Sequence, residues 1–323
     1  LFVFIDLNSK SVKVLFIDSV HPILWNRLTK NKFTCVDAAS KSADEILLII
    51  NEFDGVVIRS KFTFNEPVFE KAKKLKFIAR SGSGLENIDL ECANRNNVTV
   101  FNSPEGNRDA LAEHALGMLL GLFNNINRGH SEVLNSLWNR EKNRGVELKG
   151  KTVSLIGFGV MGNAIAKRLS GFGCKVLAYD KYKSNYSNQF AKEADYRTIF
   201  EQTDVLSFHV PLNESSLFMC DENYLAQFKK PIYLINTSRG KIVNTKHLID
   251  AMKMKKVIGC CLDVLEYESA SFENLDSNLE KALAFFRTQN NVVLSPHVAG
   301  WTTESYYKLS DYLASKILEN FTS

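Results

Sequence analysis

The sequence predicts an α/β chain of two domains, each a doubly wound parallel sheet with helices on both faces. Three observations carry that expectation. The chain has 323 residues, more than one ordinary domain and enough for two. Short apolar runs alternate with amphipathic stretches over residues 12–102 and again over 151–297. Crossover helices on a parallel sheet produce that alternation. Between one such strand and helix lies G-x-G-x-x-G, at Gly157, Gly159 and Gly162.

Composition narrows the class. Hydrophobic residues make up 45% and charged residues 24%, the balance of a globular protein with a sizeable core. Lys and Arg number 40 against 36 Asp and Glu, a net +4. A surplus so small and dispersed argues against nucleic acid or a membrane surface as partner. Cys35, Cys92, Cys174, Cys220, Cys260 and Cys261 show no C-x-x-C pair and no zinc-like spacing. They read as buried thiols of a reducing cytoplasm, and no metal site is expected. No apolar run nears the roughly 20 residues that span a bilayer. The opening LFVFIDL is too short and wrongly flanked for a signal peptide.

In chain order, residues 1–11 hold a short strand-like run with no assigned role. Residues 12–17 form the first strand of an α/β unit. An amphipathic stretch at 23–30 follows, then helix 45–51, strand 55–58, helix 67–74 and strands 77–79 and 98–101. In such a sheet, ligands bind beyond the carboxyl ends of the strands. Two ends stand out: Ile58-Arg59-Ser60, and Ala79-Arg80-Ser81-Gly82-Ser83-Gly84. Arg59 and Arg80 suit an anion there, with N–H groups of the glycine-rich turn as further donors. A surface ion pair is the alternative for each. Pro104 and Gly106 punctuate the chain and suggest a hinge into the second domain. Residues 107–128 read as one helix with Leu111, Ala115, Met118, Leu119, Leu122 and Phe123 on its apolar face. Its small residues, among them Ala112, Gly117 and Gly121, predict close packing on the cofactor domain or a second subunit. His114 and His130 read as helix-packing and surface residues rather than ligands.

Residues 151–180, KTVSLIGFGVMGNAIAKRLSGFGCKVLAYD, organise the second domain. The run 153–156 is a strand, Ala164, Ile165, Ala166 and Leu169 follow at helical spacing, and a second strand, 176–179, ends on Asp180. Gly157 permits a tight turn, Gly159 lets a pyrophosphate approach the backbone, and Gly162 lets the helix pack on the strand. The helix start offers free N–H groups and a partial positive charge to the phosphates. Asp180, eighteen residues past Gly162, can accept from the adenosine ribose diol and repel a 2′-phosphate. The stretch is therefore a Rossmann-like dinucleotide unit with NAD as its expected cofactor. Lys181 and Lys183 keep NADP as the alternative, and a solvated strand-end turn is the alternative for Asp180.

The alternation continues with strand 204–210, a helix including 224–228, and strand 232–236 running into Thr237-Ser238-Arg239-Gly240. Helix 246–254 follows, then strand 257–262 ending at Asp263 and strand 291–294 ending at Ser295-Pro296-His297. The last helix, 301–321, is long enough to return to the first domain. The expected division is a flavodoxin-like substrate domain at 1–103 plus 298–323 and an NAD-binding domain at 104–297. Arg239, Glu268 and His297 follow three strands of one sheet, on the rim that carries Gly159. The trio suits hydride transfer between a nicotinamide and a 2-keto or 2-hydroxy acid. An arginine holds a carboxylate with two parallel N–H bonds. A histidine exchanges a proton near neutral pH. A glutamate orients that imidazole and keeps it protonated longer.

These motifs resemble those of the D-isomer-specific 2-hydroxyacid dehydrogenase family over nearly all of the chain from residue 12 onward. They are GFGVMG at 157–162, Asp180, HVPL at 209–212, NTSRG at 236–240, LDVLEYE at 262–268 and SPHVAGW at 295–301. The resemblance implies that Arg239 binds substrate, His297 is the acid/base and Glu268 is its partner. It implies that Gly157, Gly159, Val160, Met161, Gly162, Asp180, Val210, Thr237, Asp263 and Gly300 line the NAD site, with Ser83 reaching the nicotinamide side. It also implies an active site in the cleft between the domains and a homodimer formed through the helix at 107–128. One departure stands out. The family commonly has proline after the catalytic glutamate, and this chain has Ser269. Glu266 therefore competes with Glu268, and the spacing of five residues past Asp263 favours Glu268.

Within the family, VIRS at 57–60 and RSGSGLENID at 80–89 most resemble the 3-phosphoglycerate dehydrogenases. That implies a phosphorylated substrate held by Arg59 and Arg80, beside Ser81 and Gly82. The implied reaction is NAD-dependent oxidation of 3-phosphoglycerate to 3-phosphohydroxypyruvate, the first step of serine biosynthesis. A glyoxylate or hydroxypyruvate reductase with the same trio is the alternative, and an NAD-sensing corepressor is a third reading. The chain ends at Ser323, so the C-terminal regulatory domains of many such enzymes, and serine feedback through them, are not expected.

Overall fold

The computed structural model describes residues 11–268 and 279–322. The strand-like run at 1–10 and the departure at Ser269 lie outside the described residues. The chain divides into two compact units, residues 1–107 with 303–323 and residues 108–302.

The first unit alternates β1 (Lys13–Phe16), α1 (Pro22–Lys30), β2 (Thr34–Asp37), α2 (Ala43–Ile49), β3 (Gly55–Ile58), α3 (Glu66–Lys71), β4 (Phe77–Arg80), α4 (Leu90–Arg95) and β5 (Thr99–Phe101). The strands pair in parallel in the order β2-β1-β3-β4-β5, the flavodoxin-like arrangement. All four residues of β3 are buried, as a central strand covered on both faces requires. Leu15, Ile46, Val56 and Ile78 pack on one side of the sheet. Val14, Leu24, Phe77 and Leu313 pack on the other, where the last helix of the chain, α12 (Thr303–Phe321), lies on α1. Local signals set the helix starts. The His21 Nδ1 accepts from Ile23 N ahead of α1, and Ser42 and Glu45 form a reciprocal cap on α2.

Pro104 and Gly106 mark a helix start instead of a break, because α5 spans Pro104–Phe123 and proline suits a first turn, where its missing N–H has no partner to lose. A Cβ on Gly106 would lie 2.5 Å from Leu309 N, so the glycine lets α12 approach. The single helix expected at 107–128 is also corrected. The chain leaves α5 at Asn124, Asn125 takes φ 52°, and α6 (Ile126–Leu134) starts afresh. Asparagine tolerates that left-handed conformation, and Val146 N donates to the Phe123 carbonyl at 2.9 Å.

The second unit continues with β6 (Thr152–Ile156), α7 (Val160–Leu169), β7 (Lys175–Tyr179), β8 (Lys192–Glu193), α8 (Tyr196–Gln202), β9 (Val205–Phe208), α9 (Glu222–Ala226), β10 (Ile232–Asn236), α10 (Thr245–Lys253), β11 (Val257–Leu262), α11 (Leu279–Phe286) and β12 (Val292–Leu294). Its seven parallel strands run β12-β11-β10-β9-β6-β7-β8. The order reverses between β6 and β9, so the turn after β6 opens at the topological switch, where α/β sheets bind ligands.

Candidate active site

The strand ends of the second unit are level with one another. Ile156 is in register with Phe208, Phe208 with Asn236, Asn236 with Leu262, and Leu262 with Leu294. The loops after β6, β9, β10, β11 and β12 therefore leave one rim of one sheet. Gly157 turns there with φ +95°, and a Cβ would meet the His209 carbonyl at 2.4 Å and Val210 Cγ1 at 2.9 Å. A Cβ on Gly162 would meet the Gly157 carbonyl at 2.2 Å, so α7 starts hard against the turn. Val160 and Met161 form the first residues of α7. Asp180 closes the turn from the end of β7. Its carboxylate accepts from Phe158 N at 2.9 Å and from Tyr182 N at 3.0 Å.

After β10, the side chain of Asn236 laces the NTSRG turn. Its Nδ2 donates to the Arg239 carbonyl, and its Oδ1 accepts from Ser238 N and Oγ. Arg239 Nη1 donates to the Ser238 carbonyl at 2.6 Å. A Cβ on Gly240 would stand 1.9 Å from the Leu265 carbonyl, so this turn touches the loop after β11 backbone to backbone. On that loop Glu268 accepts from Leu265 N through Oε1 and holds His297 Nδ1 at 2.6 Å through Oε2. Glu266 points elsewhere: its Oε2 accepts from Thr245 N at 2.6 Å, at the start of α10. Of the two glutamates, Glu268 is therefore the one beside the imidazole. His297 has φ 53°, and its side chain and that of Glu268 are 21% and 12% exposed, so the pair is enclosed with one edge open.

In the first unit, Ile58 and Arg80 are registered neighbours on β3 and β4, which puts Arg59 and Arg80 at adjacent strand ends. Several backbone donors expected of these turns are spent. Asp18 Oδ2 accepts from Arg59 N, Ser60 N and Lys61 N, and Ser81 N donates to the Ile58 carbonyl. Ser81 is buried. A Cβ on Gly82 would sit 1.5 Å from Arg80 Nη1, so glycine makes room for that guanidinium. Ser83 Oγ donates to Asn107 Oδ1 at 2.6 Å.

The family model for the NAD-binding domain of D-isomer-specific 2-hydroxyacid dehydrogenases matches residues 116–299, more than half of the chain. The chain belongs to the D-isomer-specific 2-hydroxyacid dehydrogenase family. A hydroxypyruvate reductase of Thermotoga maritima is 34% identical over 276 residues, covering 85% of this chain and 87% of that protein. A D-3-phosphoglycerate dehydrogenase of Archaeoglobus fulgidus is 30% identical over 309 residues, covering 95% of this chain. The chain spans only 57% of that second relative's length. Among solved structures, a glyoxylate reductase of Paecilomyes thermophila superposes with a TM-score of 0.84 over 96% of each chain at 21% identity, which is a likeness of fold.

Members of this family are NAD-dependent oxidoreductases, NAD is the cofactor of this dehydrogenase, and the residues present fit it. Nothing lies within 4 Å of where a Cβ of Gly159 would stand, which leaves open the space a pyrophosphate takes at the start of α7. Thr237 Oγ1, on the same rim, is buried without a hydrogen-bond partner among the described residues. Asp263, also expected at the cofactor, is closed off. It is 1% exposed, and its oxygens accept from Ser295 Oγ, Val298 N and Ala299 N. Gly300 follows directly on that turn. A cavity of about 580 Å³ lies beside Tyr179, Asp180, Tyr186 and Thr198, and its lining includes none of Gly157, Arg239, Glu268 or His297. Among the described residues no three His, Cys, Asp or Glu side chains group as metal ligands. Burial pushes the Cys220, Cys260 and Cys261 thiols up, which leaves them un-ionised at neutral pH.

Two residues escaped the sequence reading. Ser295 was visible only as the start of SPH. His114, read as a packing residue of the long helix, bonds to Ser295 Oγ through Nε2 at 2.8 Å. Nothing local marks that pair, because the partners are 181 residues apart.

Proposed function

We propose that this dehydrogenase interconverts 3-phosphoglycerate and 3-phosphohydroxypyruvate. The observation that carries the reading is the pair Arg59, directly after β3, and Arg80, which ends β4 in register with Ile58. Two guanidiniums suit a dianionic phosphate better than a small neutral substituent. Arg239 holds the substrate carboxylate and the C2 oxygen. Glu268 accepts from His297 Nδ1–H, which keeps that nitrogen protonated and leaves Nε2 to exchange the substrate proton. In oxidation His297 takes the C2 hydroxyl proton as the C2–H bond breaks; in reduction it returns it. When bound, NAD accepts or supplies the hydride at its nicotinamide. Gly157, Gly159, Gly162 and the α7 start hold the pyrophosphate, and Asp180 the adenosine ribose, with Val210 and Thr237 alongside.

A second reading is a hydroxypyruvate reductase, favoured by the T. maritima relative, which matches over 87% of its own length. The two substrates share a three-carbon skeleton and differ by the phosphate. A panel of 2-hydroxy and 2-keto acids, with and without phosphate, followed by NADH absorbance, decides between them. Arg59→Ala should raise KM for 3-phosphoglycerate on the order of tenfold or more, the loss of a charge-assisted contact to a bound anion, while the response to hydroxypyruvate changes little. An unchanged phosphoglycerate KM would remove the phosphate reading.

The enzyme is proposed to act as a homodimer in a reducing cytoplasm. Its six cysteines are free thiols. Nothing lies within 4 Å of where a Cβ on Gly117 or Gly121 of α5 would stand, and α6 buries none of its residues, so this face is available to a second copy.

A further inference from the structure

We propose that His114 is a positioning residue for His297, acting through Ser295 and Asp263. The proposal rests on the reading of His297 as the proton-transfer group.

The links form one chain of contacts. The Ser295 hydroxyl has a single proton, and it donates to Asp263 Oδ1 at 2.6 Å. Its lone pair is then free to accept from His114 Nε2–H at 2.8 Å. His114 Nε2 also lies 3.6 Å from Asp263 Oδ1. Asp263 in turn grips the turn that carries His297 at three successive residues. Its carbonyl accepts from His297 N at 2.7 Å, Oδ1 from Val298 N at 2.9 Å, and Oδ2 from Ala299 N at 2.9 Å. His297 has φ 53°. A bulky residue stays in that conformation only when its surroundings over-determine it, and Asp263, through its carbonyl and carboxylate, is one of the residues that do so.

The network needs His114 for a specific reason. The alternative neighbour of Ser295 Oγ is Met118 Sδ at 3.6 Å, a much weaker partner. That sulfur accepts but cannot donate, so without the imidazole N–H the hydroxyl oxygen has lost the donor that fixes it and holds Oδ1 less firmly. The turn at residues 297–299 then loses part of its anchor, and the imidazole drifts from Glu268. Misplacement of this kind lowers the chemical step more than it weakens binding of substrate or cofactor.

The test uses His114→Leu, His114→Gln and Ser295→Ala in the full chain. Two readouts apply: steady-state kinetics with NAD and the panel's preferred substrate, and amide hydrogen exchange at residues 297–299 in the cofactor-free protein. The Leu variant and Ser295→Ala should each lower kcat about tenfold while KM and NADH affinity stay within about twofold. The Gln variant, whose amide N–H can replace Nε2–H, should recover most of kcat. Exchange at Val298 and Ala299 should speed up about tenfold in the Leu variant and in Ser295→Ala. The double variant should be no worse than the worse single one, because both cut the same chain. Wild-type kcat in the Leu variant or in Ser295→Ala, or additive losses in the double, would overturn the proposal. So would loss of NADH binding in step with kcat in Ser295→Ala. If the unmodified protein turns over no acid in the panel, the functional reading fails, and the exchange measurement alone decides whether His114 anchors the turn.

Discussion

At the scale of single residues, the site divides into groups that are exposed enough to react and groups buried to hold them. His297 and Glu268, the pair proposed to exchange the substrate proton, meet at 2.6 Å. His297→Gln should lower kcat by about 10²- to 10⁴-fold, the usual worth of a positioned acid/base, while NADH fluorescence titration still reports binding. Equal loss of both would mean a structural histidine. His209 shows the opposite design. Its Nδ1 is buried without a partner among the described residues, and its Nε2 faces Ser207 Oγ at 2.8 Å. Burial pushes this imidazole down from 6.5 to about 3. In the unfolded chain it would protonate near its ordinary value, so between these limits the unfolded state binds the extra proton. Its contribution is whole above about pH 6.5 and declines as pH falls, until it is lost by about pH 3. Urea midpoints for wild type and His209→Gln should therefore diverge: between pH 7 and pH 5 the wild type should lose about 2 kcal/mol more than the variant. Equal losses would refute a buried neutral His209. The sequence showed His297 and Glu268 through their motifs, and spacing alone favoured Glu268 over Glu266. It could not show that Glu266 is committed to Thr245 N, because that contact depends on where α10 begins.

At the scale of elements, backbone contacts bring together the loops that carry Arg239 and Glu268. Gly240 is the clearest case: a Cβ there would overlap the Leu265 carbonyl at 1.9 Å and Glu266 N at 2.6 Å. Neither backbone atom can yield as a flexible side chain could, so Gly240→Ala must part the arginine loop from the glutamate loop. The expected outcome is a fall in kcat/KM of about 10²-fold, the scale of a 1 Å displacement of catalytic groups. NADH affinity should change little, because the Gly157 turn lies on a different loop. Retained activity would show that the loops are not held by this contact. Elements with a strong period were legible. Strands such as Ile232–Asn236 and Val257–Leu262 carry continuous apolar runs because helices cover both faces of the sheet. Elements at the margins were not. The edge strand Thr34–Asp37 buries none of its four residues fully, so its composition carries no burial pattern. The break after Phe123 turns on one asparagine in a left-handed conformation, and nothing in the apolar periodicity announces it.

At the scale of the molecule, the proposed homodimer turns on the surface around α6. Ile126, Val133, Leu134, Leu137 and Trp138 are all exposed, Trp138 by 84%. They follow one another along a single short segment, whereas scattered exposed apolar residues are the norm for a lone chain. Isolated helices of nine residues are marginal in water, and α6 buries no residue of its own. Covering its apolar face would stabilise it. A second copy of the chain fits best, since the open Gly117 and Gly121 on neighbouring α5 let another backbone approach closely. The same stretch carries ion-paired charges, Arg128 with Glu132 and Arg144 with Glu141, the mixture of apolar and polar groups found at protein–protein interfaces. Sedimentation should find twice the chain mass for the wild type. Leu134→Glu with Trp138→Ala should give single chains at micromolar concentration, because a buried unpaired carboxylate and a lost aromatic anchor each cost about 2 kcal/mol or more. Activity of those single chains then measures what the pairing contributes to the site. A double variant that still sediments at twice the chain mass would place the dimer contact elsewhere, and a wild type that sediments as one chain would leave the face of α6 without the partner assigned to it.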